Sequence, residues 1–256
     1  MRKISLRNRI LLPVLLLITV TIAVVGLLVY IKTKSTLVDN LRAQMEYIAE
    51  SNLSDIATWI NDRKANVMEW SSMRVFALAT QDSFTGMAAR KTAGQELEKI
   101  LSKNEILEIV NVVGTNGAVV ISSDTNAIGN VNVSDRSYFR EALNGKIVVS
   151  DFVRSKKSDQ WVFTIAAPVQ ENQVTVGVFF VVVSAEMFMK KFVDPIKILQ
   201  TGYVYVYNKS GLIIAHPNRS AVMKLDISKE AWGTEMLQRK KGYIDYVLDN
   251  VYRLGA

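Results

Sequence analysis

Arg136, followed by Tyr138 and Phe139, carries the clearest chemical signal in the chain. A guanidinium grips a carboxylate through two parallel hydrogen bonds. Aromatic rings beside it supply an apolar wall with a polar edge. Arg136 also stands next to Asp135 and near Glu141, so ligand clamp and structural ion pair are both open readings. Further on, Arg154, Lys156 and Lys157 share a polar loop that either closes over an anion or is simply solvated. Trp161 opens a strand shared with Phe163, and these rings face either a pocket or a core.

Other chemistry is bounded by what the chain lacks. There is no cysteine, hence no disulfide, thiol nucleophile or cysteine-ligated metal. His216 is the single histidine. A Ser-His-Asp triad would have to use it, and no G-x-S-x-G elbow is present. Its expected part is packing or hydrogen bonding between the two halves of the fold. No G-x-G-x-x-G or Walker loop signals a nucleotide or another cofactor. The net charge is +7, but the N-terminal cluster holds four of the cations and no basic stripe interleaves with aromatics, which argues against nucleic acid. The expectation is a binding module without catalytic residues.

The elements that must position Arg136 follow from periodicity. Ala118–Ser123 follows Glu108–Val113 across Gly114-Thr-Asn-Gly117, a hairpin signal. Ser134-Asp135 is a good N-cap for a short helix running to Leu143, closed by Asn144-Gly145. Strand-like runs at Ile147–Val153, Trp161–Val169 and Val174–Ser184 follow, with turns at Ser158-Asp159 and Glu171-Asn172. The last run is apolar on both faces, as expected of a central strand. Ala185–Phe192 reads as helix. A second hairpin, Tyr203–Tyr207 and Leu212–His216, turns at Asn208–Gly211. Aligning Gly211 with Gly117 superposes the two hairpins, an internal repeat. A helix near Lys229–Lys241, a strand at Gly242–Leu248 and a turn at Asp249-Asn250 complete the chain. The second set of strands is shorter than the first, and the expectation is a truncated unit.

Before all this, Arg2, Lys3, Arg7 and Arg9 precede an uncharged apolar stretch from Ile10 to Ile31. A helix of roughly 20 apolar residues crosses a bilayer core. The stretch is longer than a signal-peptide core and has no small-x-small exit, so it reads as a retained anchor. The more basic flank stays cytoplasmic, which exports the rest. Pro13 falls in the first turn, where it is tolerated. About 220 residues remain beyond the span, enough for one large domain or two small ones. From Ser35 to about Thr80 there is no proline or glycine, and Leu37, Leu41, Met45, Ile48, Leu53, Ile56, Ile60 and Val67 recur at helical spacing. About 45 residues would extend near 65 Å. The apolar seam suggests a stalk that pairs with a second copy, or a helix that only covers a sheet.

Taken in order, Asp135-Arg-Ser-Tyr-Phe139, Ser150-Asp151, Ala166-Ala-Pro-Val169, Gly177-Val178 and Ser210-Gly-Leu-Ile-Ile-Ala-His-Pro217 resemble the N-terminal sensor part of bacterial methyl-accepting chemotaxis proteins carrying a double Cache domain. The resemblance covers essentially the whole chain. It implies an α+β fold: a transmembrane helix, a long stalk helix and two tandem PAS-like antiparallel-sheet units, the second truncated. The implied boundaries are 1–9 for a cytoplasmic tail, 10–31 for the span and 32–82 for the stalk and dimer helix. A membrane-distal unit then occupies 83–195 and an incomplete membrane-proximal unit 196–256. It implies a small-molecule ligand, a membrane, a homodimer, no nucleic acid, no metal and no cofactor. The implied ligand-binding set is Arg136, Tyr138, Phe139, Asp151, Phe152, Arg154 and Trp161. Amino-acid-binding members carry Arg-x-Trp where this chain has Arg136 and Tyr138, and an aspartate near the position of Val182. Valine offers an ammonium nothing, so a small carboxylate is the expected ligand. The same kind of sensor also precedes histidine kinases and diguanylate cyclases, which the residues here do not separate from chemoreceptors.

Overall fold

A computed structural model describes residues 6–239, 241–248 and 251–256, with side chains from Pro13 onward. Arg2, Lys3 and the turn expected at Asp249-Asn250 lie outside the described residues. The chain divides into two compact units, Ser51–Gln238 and a second made of Met1–Glu50 with Arg239–Ala256.

Helix α1 spans Leu6–Ser71. Its apolar residues from Val14 to Ile31 are exposed throughout. The helix ends earlier than the sequence suggests. The Ser71 and Ser72 hydroxyls both donate to the Met68 carbonyl at 2.9 Å, and Met73 is extended at ψ 123°. Side-chain bonds to the last carbonyls compete with helix propagation. A separate helix, α2 (Arg74–Ala79), follows. Helix α3 runs Phe84–Ser102. Ser83 Oγ caps it by accepting from the Gly86 amide at 3.0 Å. A Cβ at Gly86 would lie 2.1 Å from the Gln81 carbonyl oxygen, so the tight entry needs glycine.

Strands β1 (Leu107–Gly114) and β2 (Val119–Ser122) form the expected hairpin. Helix α4 begins at Ser137 and ends at Leu143. Arg136, not Ser134 or Asp135, occupies its N-cap, without a side-chain cap bond. The run expected as one strand from Ile147 is two short ones, β3 (Val148–Val149) and β4 (Val153–Arg154), both pairing with β5 (Trp161–Glu171). Between them Ser150 Oγ accepts from the Thr164 amide at 2.9 Å, where a side chain takes over one ladder bond. Strand β6 (Val174–Ser184) pairs with β1 on one side and β5 on the other. The antiparallel sheet runs β2-β1-β6-β5-β3, so β6 is central, as its apolar faces require.

Side chains alternate across this sheet. Val110, Val112, Phe163, Ile165, Ala167, Phe179, Val181 and Val183 bury one face against Trp59 and Val67 of α1, Phe76 of α2 and Leu97 of α3. Ile109, Val113, Val162, Ala166, Val178, Phe180 and Val182 face Tyr138, Phe139 and Ala142 of α4. Ile56 and Ile60 also pack on the first layer. Three of the eight residues of the apolar seam expected to meet a second copy, Ile56, Ile60 and Val67, thus cover the chain's own sheet.

Helix α5 (Ala185–Phe192) and short strands β7 (Lys197–Ile198), β8 (Gly202–Tyr203), β9 (Val206–Tyr207) and β10 (Ile213–Ala215) lead into helix α6 (Ala231–Arg239). The region around β9 and β10 repeats the hydrogen bonding around β1 and β2. Gly117 donates to Gly114, and Gly211 to Asn208, both at 2.9 Å. Val133 donates to Gly117 and Ile227 to Gly211; Val119 to Val131 and Ile213 to Leu225. Gly117 and Gly211 both have positive φ. Asn132 and Asp226 each accept, through Oδ1, from the serine amide two residues on. Arg219 ties this region to α5, with Nη2 2.6 Å from Asp194 Oδ2 and Nε 2.8 Å from Glu186 Oε2. Its charge holds both carboxyls below their usual range.

In the other unit, strands β11 (Ile244–Leu248) and β12 (Val251–Gly255) pair antiparallel. Arg42 of α1 donates to Asp245 at 2.8 Å and lies 4.4 Å over the Tyr243 ring. Lys241 pairs with Glu50.

Candidate ligand-binding site

A cavity of about 380 Å³ opens on the α4 side of the sheet. Its floor is apolar, built from Ile109 of β1, Val162 of β5, and Phe180 and Val182 of β6. Val119, Val131 and Val133 close it from the hairpin and the loop after it. Four cations line it, Arg136, Arg154, Lys156 and Lys157, against one acid, Asp124. That balance suits an anion.

The charged rim is already ordered. Lys156 Nζ donates to the Asn132 carbonyl at 2.8 Å and lies 3.4 Å from Asp135 Oδ1. Arg136 Nε lies 3.6 Å from Asp135 Oδ2, and about a quarter of its side chain remains exposed. Burial pushes the Asp135 carboxyl up, but Lys156 and Arg136 together hold it below its usual range. Asp124 is occupied twice over. Its Oδ1 accepts from the Asn126 amide at 3.2 Å, and its Oδ2 lies 3.3 Å from Lys157 Nζ. Ser155 Oγ donates to Glu108 at 2.8 Å and accepts from the Lys157 amide, which fixes the loop.

Tyr138 is buried with its ring 5.5 Å from that of Phe180. Burial pushes its phenol up to about 12. It is therefore an uncharged polar wall. Asn111 and Thr164, at 4% and 2% exposure, are the two buried polar strand residues that line the cavity among the described residues.

Of the residues singled out from the sequence, Arg136, Tyr138, Arg154, Lys156 and Lys157 line the cavity. Val182 does too, at the position matched to an aspartate in the resemblance. Phe139 turns into the core behind α4. Phe152 packs on Phe163, ring centres 5.3 Å apart, in the layer on the other side of the sheet. Trp161 joins that layer too, with the Arg154 guanidinium 4.2 Å over its ring. Strand parity is the reason: Trp161 and Phe163 share one face, which leaves Val162 and Thr164 to the cavity. Asp151 is exposed and off the cavity wall. Asn111, Asp124, Ser155 and Thr164 were not singled out. A polar residue inside LEIVNVVG and another inside WVFTIAAPV were the available signals. His216 lies 4.9 Å from Tyr203 and accepts from the Asn218 amide at 2.8 Å, away from the cavity.

A family model described as Cache domain matches residues 33–256. Among curated proteins, the methyl-accepting chemotaxis protein McpA of Bacillus subtilis is 22% identical over 250 residues, covering 96% of this chain and 35% of that protein. The chain thus spans about a third of that relative. Among solved structures, the ligand-binding domain of the Pseudomonas fluorescens chemoreceptor CtaA in complex with L-isoleucine is 17% identical, with a TM-score of 0.67 over 87% of each chain. The sensor domain of the V. cholerae histidine kinase DctB is 16% identical, with a TM-score of 0.61 over 72% of this chain and 69% of that one. These likenesses are of fold. The family match extends from just beyond the apolar segment through the cavity to the final strand, and the chain belongs to the Cache domain family.

Proposed function

We propose that this chain is the extracytoplasmic sensor of a transmembrane chemoreceptor, that its cavity takes a small carboxylate, and that binding is relayed across the membrane. The observation that carries the ligand class is the cationic rim over an apolar floor, with Arg136 and Tyr138 side by side on the wall. The guanidinium holds the carboxylate, and Tyr138, Phe180 and Val182 contact the rest of the ligand. Lys156 and Lys157 add a field that draws anions in. The L-isoleucine bound by CtaA makes an α-amino acid the rival ligand class. Two features weigh against it. Val182 has no charge to offer an ammonium, and Asp124 already faces Lys157.

The apolar helix, exposed from Val14 to Ile31, is the anchor, and the basic flank keeps the N-terminus inside. The repeated hydrogen-bond pattern at Gly117 and Gly211 supports two PAS-like units, distal and proximal. For a homodimer, the support moves to the exposed side of α1. There Ser51, Ser54, Thr58, Asn61, Ala65 and Met68 recur at alternating spacings of three and four without a charge, a geometry compatible with a paired seam. A kinase output is the second reading on the likeness to the DctB sensor, and whether the complete gene encodes a kinase domain distinguishes the two.

Calorimetry on the full chain in nanodiscs tests the ligand class, with acetate, propionate, succinate, L-lactate, L-malate and the common L-amino acids as probes. Arg136→Ala should weaken a bound carboxylate about tenfold to a hundredfold, the loss expected for a charge-assisted bidentate contact. Unchanged affinity removes Arg136 from the site. Amino acids binding while every simple carboxylate fails overturns the ligand class.

A further inference from the structure

Asn111 is the anomaly of the cavity. It sits in the middle of β1, paired in register with Phe180 of β6. Its neighbours on the same face of the strand are Ile109 and Val113. It is 4% exposed, yet nothing among the described residues hydrogen-bonds its Oδ1. Thr164, the other buried strand residue with a polar side chain on the cavity wall, has no such orphaned atom among the described residues. An unpartnered buried acceptor is costly to a fold, and a valine here would have continued the apolar strand. A group that costs stability and lines a cavity has its use in the bound state.

We propose that Asn111 selects the ligand, its Oδ1 accepting a hydrogen bond from a hydroxyl adjacent to the carboxylate held by Arg136. The inference rests on the carboxylate reading of the cavity and narrows it to hydroxycarboxylates. An amide oxygen satisfies an uncharged donor fully. It compensates a buried ammonium poorly, and Asp124, the one carboxylate on the wall, is taken by Lys157 and the Asn126 amide. A ligand without the donor leaves Oδ1 unpaired. A site built to hydrogen-bond its ligand rejects such analogues.

The test is calorimetry on the full chain in nanodiscs with matched probes: L-lactate against propionate, L-malate against succinate, and L-alanine. Wild type should bind a hydroxy acid about tenfold or more tightly than its unsubstituted partner, and more tightly than L-alanine. In Asn111→Leu that ratio should fall to near one while the unsubstituted acid binds as before. The ligand-free Asn111→Leu chain should melt about 2–4 °C higher, because an unpaired polar group has gone. A ratio that survives in Asn111→Leu, L-alanine as the tightest probe, or a lowered melting temperature overturns the role of Asn111 while carboxylate binding stands. If none of the five probes binds wild type, the carboxylate reading itself falls, and this inference with it.

Discussion

Polar residues in this fold are mostly claimed by neighbours, and His216 shows how a claimed residue reports on pH. Its ring is half-buried between Tyr203 and Tyr205. Burial lowers its pKa, and the nearby Arg219 adds to this. The folded state therefore disfavours the proton that the unfolded chain takes up near pH 6.5. Above that pH both states are neutral and the group contributes nothing to the balance. Below it the unfolded state binds more protons, and stability falls as pH falls. Melting temperatures from pH 8 to pH 5 should be flat down to about pH 6.5 and then decline. His216→Gln should make that decline shallower. An identical slope in the variant would assign it to other groups, with Glu186 and Asp194 titrating at lower pH because Arg219 depresses both.

At the scale of elements, the last part of α1 belongs to the core of the sensor. Trp59 meets Phe163, Phe188 and Phe192 with ring centres 6.4, 6.1 and 5.7 Å away, in edge-on contacts. Asn52 donates to the Phe192 carbonyl at 2.7 Å, fixing α5 against the same helix. Trp59→Ala should cost about 3–5 kcal/mol in urea unfolding, from lost burial and the cavity left behind. Thr58→Ala, one residue away on the exposed side, should stay within about 0.5 kcal/mol. In the proposed dimer, a second copy has to dock on that exposed side. Cysteines at Ser54 or Asn61 should therefore cross-link between chains, in a protein otherwise free of cysteine, whereas cysteines at Ile56 or Ile60 should not. Cross-linking at Ile56 alone would mean that the helix leaves its own sheet in the dimer.

For the whole molecule, the consequence of the anchor is sidedness. If the basic flank is retained inside, everything past Lys34 lies outside. An alkaline phosphatase fusion after Ser51 should be active, and a cytoplasmic reporter at the same position silent. The reverse pattern would place the cavity in the cytoplasm and end the reading of an external sensor. If binding shifts a two-state sensor, it does so only by the difference in affinity between the states. Residues linking sheet to helix then matter more than residues that only hold ligand. β6 runs directly into α5, and α5 into the Arg219 pairs with Glu186 and Asp194, so the cavity floor and the repeat region share one covalent and ionic connection.

Local pattern settled much of this fold. An uncharged run from Ile10 to Ile31 can only be a long apolar helix, GVFFVVVS could only be a strand covered on both faces, and the glycines at 117 and 211 fixed two hairpins, because turn geometry is set within a few residues. The end of α1 was not legible, since Ser71 and Ser72 stop it through hydroxyl bonds that no hydrophobic period records. Nor was the cap of α4, where Arg136 takes the position that Ser134-Asp135 suggested. The candidate site was legible at Arg136, Tyr138 and Arg154, whose charge or ring stands out along the chain. It was not legible at Asn111 and Thr164. Those residues are 53 positions apart, and only the pairing of β1 and β5 with β6, in a register that turns both toward α4, puts them on one wall. Parity tells which residues share a face. Which face receives helices and which opens into a cavity depends on contacts far apart in sequence, and that choice sent Phe152 and Trp161 to the core side while leaving Asn111 beside the ligand's place.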